Sequence, residues 1–147
     1  MERRGTLLLV DDEDRLRSLI ARFLRAEGYL IVEAGDGGAA VERHADSGPF
    51  DLALVDLNLP ILGGVEVCRR IRAARPDQAI LICTAALDVE HQRSLADLGL
   101  ADVLTKPYMP ETLLNRVRTW VGSATTTIAT ASAAAGKPRS DGNTRAA

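Results

Sequence analysis

The sequence predicts an α/β fold with a parallel β-sheet at its centre. Five short apolar runs alternate with longer segments in which apolar residues recur at helical spacing. The run at residues 7–10 is apolar throughout, which is typical of a strand that is covered on both faces. Alternating strands and helices imply parallel strands joined by right-handed crossovers. The predicted strands lie at residues 7–10, 30–32, 52–55, 79–83 and 101–104.

Local signals place a helix after each predicted strand. The first helix has Glu13 and Asp14 in its first turn, and Gly28 ends it. A small second helix is predicted at residues 39–45 and the last at residues 111–121. The third begins at Val65, and Asp88 is a candidate N-cap for the fourth. The apolar positions are Leu16, Leu19, Ile20, Phe23 and Leu24 in the first helix, Val89, Leu95 and Leu98 in the fourth, and Leu113, Leu114, Val117, Trp120 and Val121 in the last.

The composition predicts one folded domain at residues 1–122 and a disordered tail at residues 123–147. The chain has 147 residues, of which 46% are hydrophobic, and this is enough to form a core. The tail is rich in Ala, Thr, Ser and Gly. It has too few large apolar side chains to offset the entropy cost of ordering.

Charge and cysteine content argue against several classes of function. The net charge of −2 indicates no direct binding to nucleic acid or to an anionic membrane surface. No apolar run is long enough to span a bilayer, and the N-terminus lacks the apolar segment of a secretory signal, so a cytoplasmic location is expected. Cys68 and Cys83 lie in separate apolar segments and are expected to be buried and reduced.

Acidic residues directly follow two of the predicted strands. Asp11 and Asp12 come after the first strand, and Asp56 comes after the third. In an open α/β sheet, ligands bind outside the carboxyl ends of the strands, where the strand order reverses. In a flavodoxin-like sheet of order 2-1-3-4-5, an order taken from known folds of this type, strands 1 and 3 are neighbours at that point. The predicted architecture is thus a three-layer (βα)5 sandwich whose three acids share one crevice.

The residue types around this crevice fit a site that handles phosphate. Three carboxylates repel one another unless a cation joins them, and their hard oxygens suit Mg²⁺, with Mn²⁺ as an alternative. A carboxylate can also act as a nucleophile that forms an acyl phosphate. Thr84 and Lys106, at the ends of the fourth and fifth strands, offer a hydroxyl and an ammonium to phosphate oxygens.

These motifs resemble the receiver domain of the bacterial two-component response regulators. The resemblance covers about residues 5–121, with four motifs in the order and spacing of that family. Each motif alone is a weak signal, but the ordered set is specific. The motifs are Val10-Asp11-Asp12-Glu13, Val55-Asp56-Leu57-Asn58-Leu59-Pro60 with Gly64, Cys83-Thr84-Ala85, and Thr105-Lys106-Pro107.

The resemblance implies how the phosphoryl group would be received. Asp56 would be the phosphoacceptor, and a sensor histidine kinase or a histidine phosphotransfer protein would be the donor. Thr84 would be the switch hydroxyl that moves toward the phosphoryl group. Lys106 would pair with the phosphate, and the Lys106–Pro107 peptide bond is expected to be cis.

The resemblance also implies a set of ligands for Mg²⁺. Asp12 would bind the metal directly, and Asp11 would act mostly through a metal-bound water. Asp56 would contribute a carboxylate oxygen, and Asn58 would contribute its backbone carbonyl oxygen.

One position departs from the family pattern. Receivers usually carry Tyr or Phe three residues before the lysine as a rotamer switch, and this chain has Val103 there. Signal transmission by an aromatic ring flip is therefore not expected in this chain. Movement of the loops after strands 3 and 4 is the alternative route for the signal. The implied output is a downstream protein bound at the face formed by helix 4, strand 5 and helix 5, with a homodimer as an alternative.

The leading interpretation is a phosphorylation-dependent signalling switch, a phosphoacceptor and not an enzyme. No DNA-binding or catalytic output segment follows the receiver, so a stand-alone receiver is expected, with a phosphorelay shuttle or part of a longer regulator as alternatives. An aspartyl phosphatase is less favoured because Asn58 stands where such enzymes carry their general acid. A phosphorylation-independent interaction module is a third hypothesis, which Val103 favours and the intact acid set opposes.

Other polar residues are interpreted as structural or solvated. His44 and His91 lie in polar stretches and are expected to be solvated. The segment 35–38 is interpreted as a turn, because it lacks the Lys-[Ser/Thr] of a phosphate-binding P-loop. A basic run on the third helix is expected to form a solvated face; it consists of Arg69, Arg70, Arg72 and Arg75.

Overall fold

A five-stranded parallel sheet lies between two layers of helices in the computed structural model, which describes residues 3–122. The strands are β1 (Gly5–Val10), β2 (Tyr29–Ala34), β3 (Leu52–Val55), β4 (Ile80–Thr84) and β5 (Val103–Thr105). The helices are α1 (Asp14–Ala26), α2 (Gly37–Ser47), α3 (Gly64–Ala74), α4 (Val89–Asp97) and α5 (Pro110–Val121). None of these helices is both long and apolar enough to cross a membrane.

The strand order is β2-β1-β3-β4-β5, and every pair is parallel. The predicted fold class and strand order are therefore confirmed. Residues 123–147 lie outside the described part of the chain, so the tail and its boundary at residue 122 remain predictions.

The core consists of two apolar clusters, one on each face of the sheet. Side chains alternate along β1: Leu8 and Val10 belong to the cluster under α2, α3 and α4, whereas Leu7 and Leu9 belong to the cluster under α1 and α5. This alternation explains why a continuous apolar run is needed to form each central strand. It also produces the predicted three-layer sandwich.

The two cysteines are buried and free, as predicted. Cys68 lies in the cluster under α3, and Cys83 lies in the cluster on the opposite face. Burial raises the pKa of each thiol from 9.0 to about 12. Both thiols are therefore protonated core groups at neutral pH.

Capping interactions set the starts of two helices. The Asp36 side chain accepts a hydrogen bond from Ala39 N at 2.7 Å, so α2 begins at Gly37, two residues earlier than predicted. Asp88 is the N-cap of α4, as predicted, and its side chain accepts from His91 N at 2.8 Å.

Three residues assigned to apolar helix faces are exposed, and these assignments were wrong. Leu19 is 59% exposed, Val89 is 68% exposed and Trp120 is 37% exposed. Helical spacing places Leu19 and Val89 beside the buried stripe of their helices, but neither residue belongs to an apolar core cluster. Trp120 stays at the rim because its Nε1 donates to the Asp102 carboxylate at 2.5 Å.

The solvated assignments of His44 and Arg72 were also wrong. His44 is 5% exposed, and its Nε2 lies 2.9 Å from the Gln78 side-chain oxygen. Arg72 is partly buried and donates to the backbone carbonyls of Gln78 and Leu98. A polar residue on an inward helix face is accommodated where another buried group satisfies its hydrogen bonds. His91 is likewise partly buried, with Nδ1 3.5 Å from Asp88 Oδ1.

Candidate functional site

Three aspartates converge where β1 and β3 end. Val10 and Val55 are paired in the parallel register, so Asp11 and Asp56 leave the sheet side by side. Carboxylate oxygens of Asp11, Asp12 and Asp56 all lie within 4.8 Å of one another. Asp11 and Asp56 are buried, at 5% and 6% exposure, whereas Asp12 is exposed. Asp11 and Asp56 therefore form the buried part of the cluster, and the cluster is open to solvent at Asp12.

Lys106 bridges the two buried acids. Its Nζ donates to Asp11 Oδ2 at 2.8 Å and to Asp56 Oδ2 at 2.9 Å. Burial acts to lower the pKa of Lys106, but the hydrogen bonds and charges of the two carboxylates outweigh it, and the pKa is raised. The ammonium therefore stays charged at neutral pH, and the site formally holds three negative charges and one positive charge.

The second oxygen of each buried acid is held by the backbone. Asp11 Oδ1 accepts from Glu13 N at 2.9 Å, and Asp56 Oδ1 accepts from Asn58 N at 3.0 Å. Each carboxylate is thus fixed between an ammonium and an amide of the loop that follows its own strand. This arrangement fixes the direction in which both side chains point.

A close approach of α3 shapes the loop after Asp56. A Cβ atom on Gly64 would lie 2.3 Å from the Asp56 carbonyl oxygen and 2.5 Å from Leu57 Cα. Only glycine permits this packing, which also lets Gly64 N donate to the Leu57 carbonyl at 3.1 Å. The close packing of α3 against this loop therefore explains why the second motif has glycine at position 64.

Thr84 lies on the other side of Asp56, at the end of β4. Its hydroxyl donates to the Ala86 carbonyl at 3.2 Å and accepts from Asn58 Nδ2 at 3.2 Å. Sequence reasoning did not identify the Asn58 side-chain contact. The Thr84 carbonyl also accepts a hydrogen bond from Lys106 N at 2.9 Å. This bond places the Thr84 and Lys106 side chains at the same edge of the sheet.

The structure brings the sequence-predicted side chains together at one edge of the sheet. The Lys106–Pro107 peptide bond is cis, as predicted, and Gly48–Pro49 is a second cis bond. Val103 is partly buried and packs against the cluster under α4. With no ring at this position, Val103 lines a groove of about 400 Å³ between α4 and β5.

The donor set fits Mg²⁺ by its chemistry. Three carboxylates offer hard oxygen atoms within a few ångströms, and the exposure of Asp12 leaves room for metal-bound water. The formal charge of the site is negative enough to attract a divalent cation even with Lys106 in place. Asp11, Asp12 and Asp56 together could therefore hold a metal ion.

Comparisons with known proteins agree with this geometry. A family model described as "Response regulator receiver domain" matches residues 7–118. The response regulator MprA of Mycobacterium ulcerans is 38% identical over 112 residues, which cover 76% of this chain and 48% of that protein. The chain thus spans about half the length of the curated relatives it matches.

Solved structures are similar over most of the described chain. The receiver domain of a Pseudomonas aeruginosa sensor histidine kinase, solved with a magnesium ion coordinated in its active site cleft, is 31% identical with a TM-score of 0.71, covering 81% of this chain and 98% of that one. The Vibrio cholerae chemotaxis protein CheY4 is 28% identical with a TM-score of 0.72, covering 78% and 97%. The family match, the fold and the acidic site agree, and the chain belongs to the response regulator receiver domain family of two-component signalling, whose members are phosphoacceptors and not turnover enzymes.

Proposed function

We propose that this chain is a signalling switch that accepts a phosphoryl group on Asp56. The donor would be a phosphohistidine of a sensor histidine kinase or of a histidine phosphotransfer protein. The observation that carries the proposal is the Lys106 ammonium, placed between Asp11 and Asp56 inside a cluster of three acids. An ammonium in this position offsets part of the negative charge of the acids at rest and can pair with a phosphoryl group once Asp56 is modified.

Four residues would hold the metal. Asp12 would bind Mg²⁺ directly, Asp11 mostly through water, and Asp56 through a carboxylate oxygen, with the Asn58 backbone carbonyl completing the protein ligands. Mn²⁺ has the same preference for oxygen ligands and should substitute. When bound, the metal neutralises charge on the phosphoryl oxygens.

The transfer would be a displacement at phosphorus. A carboxylate oxygen of Asp56 forms the new P–O bond while the P–N bond to the donor histidine breaks, and the bonding electrons leave with the imidazole, which takes up a proton. Asp56 is held in place by Asn58 N, so little reorganisation of the nucleophile is needed. The Thr84 hydroxyl would exchange its bond to the Ala86 carbonyl for one to a phosphoryl oxygen.

Signal transmission is proposed to use the two loops that Thr84 joins. The Thr84 hydroxyl contacts Asn58 after β3 and Ala86 after β4, so a new bond to phosphate would change both contacts at once. The expected output is a changed surface on α4, β5 and α5 that binds a downstream protein. Val103 means that this change would occur without a ring flip.

Incubation with acetyl phosphate and Mg²⁺, followed by intact-protein mass spectrometry, tests the proposal. Wild type should gain one phosphoryl group, and Asp56→Asn should gain none. Asp46→Asn is the matched control, because Asp46 is an exposed aspartate in α2, away from the strand ends, and it should leave the gain unchanged. An equal gain on Asp56→Asn, or no gain on wild type with Mg²⁺ present, would contradict the proposal.

A further inference from the structure

Arg17 of α1 holds the backbone of the acidic loop. Its Nη1 donates to the Asp11 carbonyl at 2.7 Å and lies 3.0 Å from Asp14 Oδ1. Its Nε donates to Glu33 Oε1 on β2 at 3.1 Å. The Arg17 side chain is only 16% exposed. A guanidinium with this many fixed partners is a rigid brace and not a solvated surface charge.

The neighbouring loop makes room for this guanidinium. A Cβ atom on Gly35 would lie 2.9 Å from Arg17 Nη1. The guanidinium is thus fitted between the loop after β1 and the loop after β2. Gly35 therefore has a steric role here, although the sequence alone suggested only a turn.

The braced carbonyl belongs to the peptide that joins Asp11 to Asp12. Within residues 3–122, the Asp12 carboxylate makes no hydrogen bond or ion pair with another protein group, whereas Asp11 and Asp56 are each held by Lys106 and an amide. The position of the Asp12 side chain therefore depends on its backbone. A fixed Asp11–Asp12 peptide plane therefore fixes the backbone from which the Asp12 carboxylate extends.

We infer that Arg17 is a positioning residue for the metal-binding acids, acting through the Asp11 carbonyl. This inference rests on the proposed function, in which Asp12 is a metal ligand. The charge of Arg17 is balanced by Glu33 and Asp14, so its effect is on geometry more than on the electric field at the site. Partners that orient metal ligands typically change metal affinity by about 10- to 100-fold when they are removed.

The test is the Mg²⁺ dissociation constant, measured by isothermal titration calorimetry on the full chain. We expect Arg17→Met to weaken Mg²⁺ binding by about 10-fold, the lower end of that range, because Asp12 itself is retained. Gly35→Ala should weaken it in the same direction, because the new methyl group displaces Nη1 while every acid is unchanged. Arg25→Met is the matched control: Arg25 binds the same Glu33 at 3.2 Å but makes no contact with Asp11.

A second measurement separates positioning from stability. The rate of phosphorylation by acetyl phosphate should fall for Arg17→Met at limiting Mg²⁺ and return to the wild-type value at saturating Mg²⁺. Thermal unfolding without metal reports stability independently. If Arg17→Met and Gly35→Ala bind Mg²⁺ as wild type does, the inference is wrong, whether or not their melting temperatures fall. If wild type itself binds no Mg²⁺, the proposed function fails instead.

Discussion

Replacing Lys106 by Met should destabilise the metal-free protein through the two carboxylates left behind. The ammonium lies 2.8 and 2.9 Å from oxygens of Asp11 and Asp56, whose side chains are each 7% exposed. At an effective dielectric constant of about 20, each contact contributes about 6 kcal/mol of attraction before the cost of desolvation is subtracted. Removing one partner from a buried ion pair costs about 3–5 kcal/mol. Because the site opens to solvent at Asp12, we expect about 3 kcal/mol.

Urea unfolding followed by circular dichroism, with and without Mg²⁺, measures this loss. Since Mg²⁺ would supply the missing positive charge, it should bind Lys106→Met more tightly than wild type. If Mg²⁺ binds Lys106→Met ten times more tightly than wild type, the difference in free energy of unfolding between the two proteins becomes about 1.4 kcal/mol smaller at saturating Mg²⁺. Arg70→Met is the control, because Arg70 pairs with Glu66 at the surface, where the loss of an ion pair should cost little stability.

A double-mutant cycle separates the charge effect from the packing of the lysine stem. In an Asp56→Asn background, one of the two stranded charges is already gone, so Lys106→Met should cost less than it does in wild type. A coupling of about 1–3 kcal/mol is expected for groups in direct contact. Equal costs in the two backgrounds, or a Lys106→Met protein as stable as wild type without metal, would refute the reasoning.

Three further predictions concern parts of the fold outside the site. Ile61 has a positive φ of 63° and a fully exposed side chain, so Ile61→Asn should raise the free energy of unfolding by about 1 kcal/mol, measured in urea. The buried Gln78 side chain bonds His44 and both backbone groups of Phe50, so Gln78→Ala should cost about 3–4 kcal/mol, whereas Gln92→Ala at the surface should cost little. The thiols of Cys68 and Cys83 should not react with a disulfide reagent in the folded protein at pH 8, and stability should fall as pH rises from about 9 to about 12, because the unfolded chain releases protons that the native chain keeps.

Each of these has a clear contrary outcome. An Ile61→Asn protein less stable than wild type would mean that the side chain has a packing role. A loss below about 1 kcal/mol for Gln78→Ala would mean that water replaces its bonds. A Cys68→Ala variant with the same alkaline loss of stability as wild type would assign that loss to other groups.

The convergence of Asp11, Asp56 and Lys106 could be predicted because it rests on two simple rules. Each of these residues lies at the end of a predicted strand, and the carboxyl ends of parallel strands meet at one edge of the sheet. The sequence pattern that predicts the site is therefore local, and the strand order of the sheet brings the three residues close together. The strand order itself was taken from known folds of the same type, and the observed pairing agrees with it.

The contacts that sequence reasoning missed share a different physical origin. Arg17 binds a backbone carbonyl, and every residue has a carbonyl, so the contact leaves no pattern of residue types. His44 meets Gln78 across 34 positions of sequence, and each alone looks like a surface residue. Such contacts depend on the path of loops and on the depth of a helix face, which periodicity does not specify.

Val103 connects the site to the question of output. Receivers with an aromatic residue at this position can move a ring, whereas Val103 leaves a groove of about 400 Å³ between α4 and β5, lined also by Leu87 and Leu95. Leu87 lies in the same loop as Ala86, whose carbonyl accepts the Thr84 hydroxyl. Release of that bond would free the loop, and the groove lies directly beside its residue Leu87. Val103 therefore lines the same groove as the loop residue Leu87, and the proposed backbone route would use the space beside that loop.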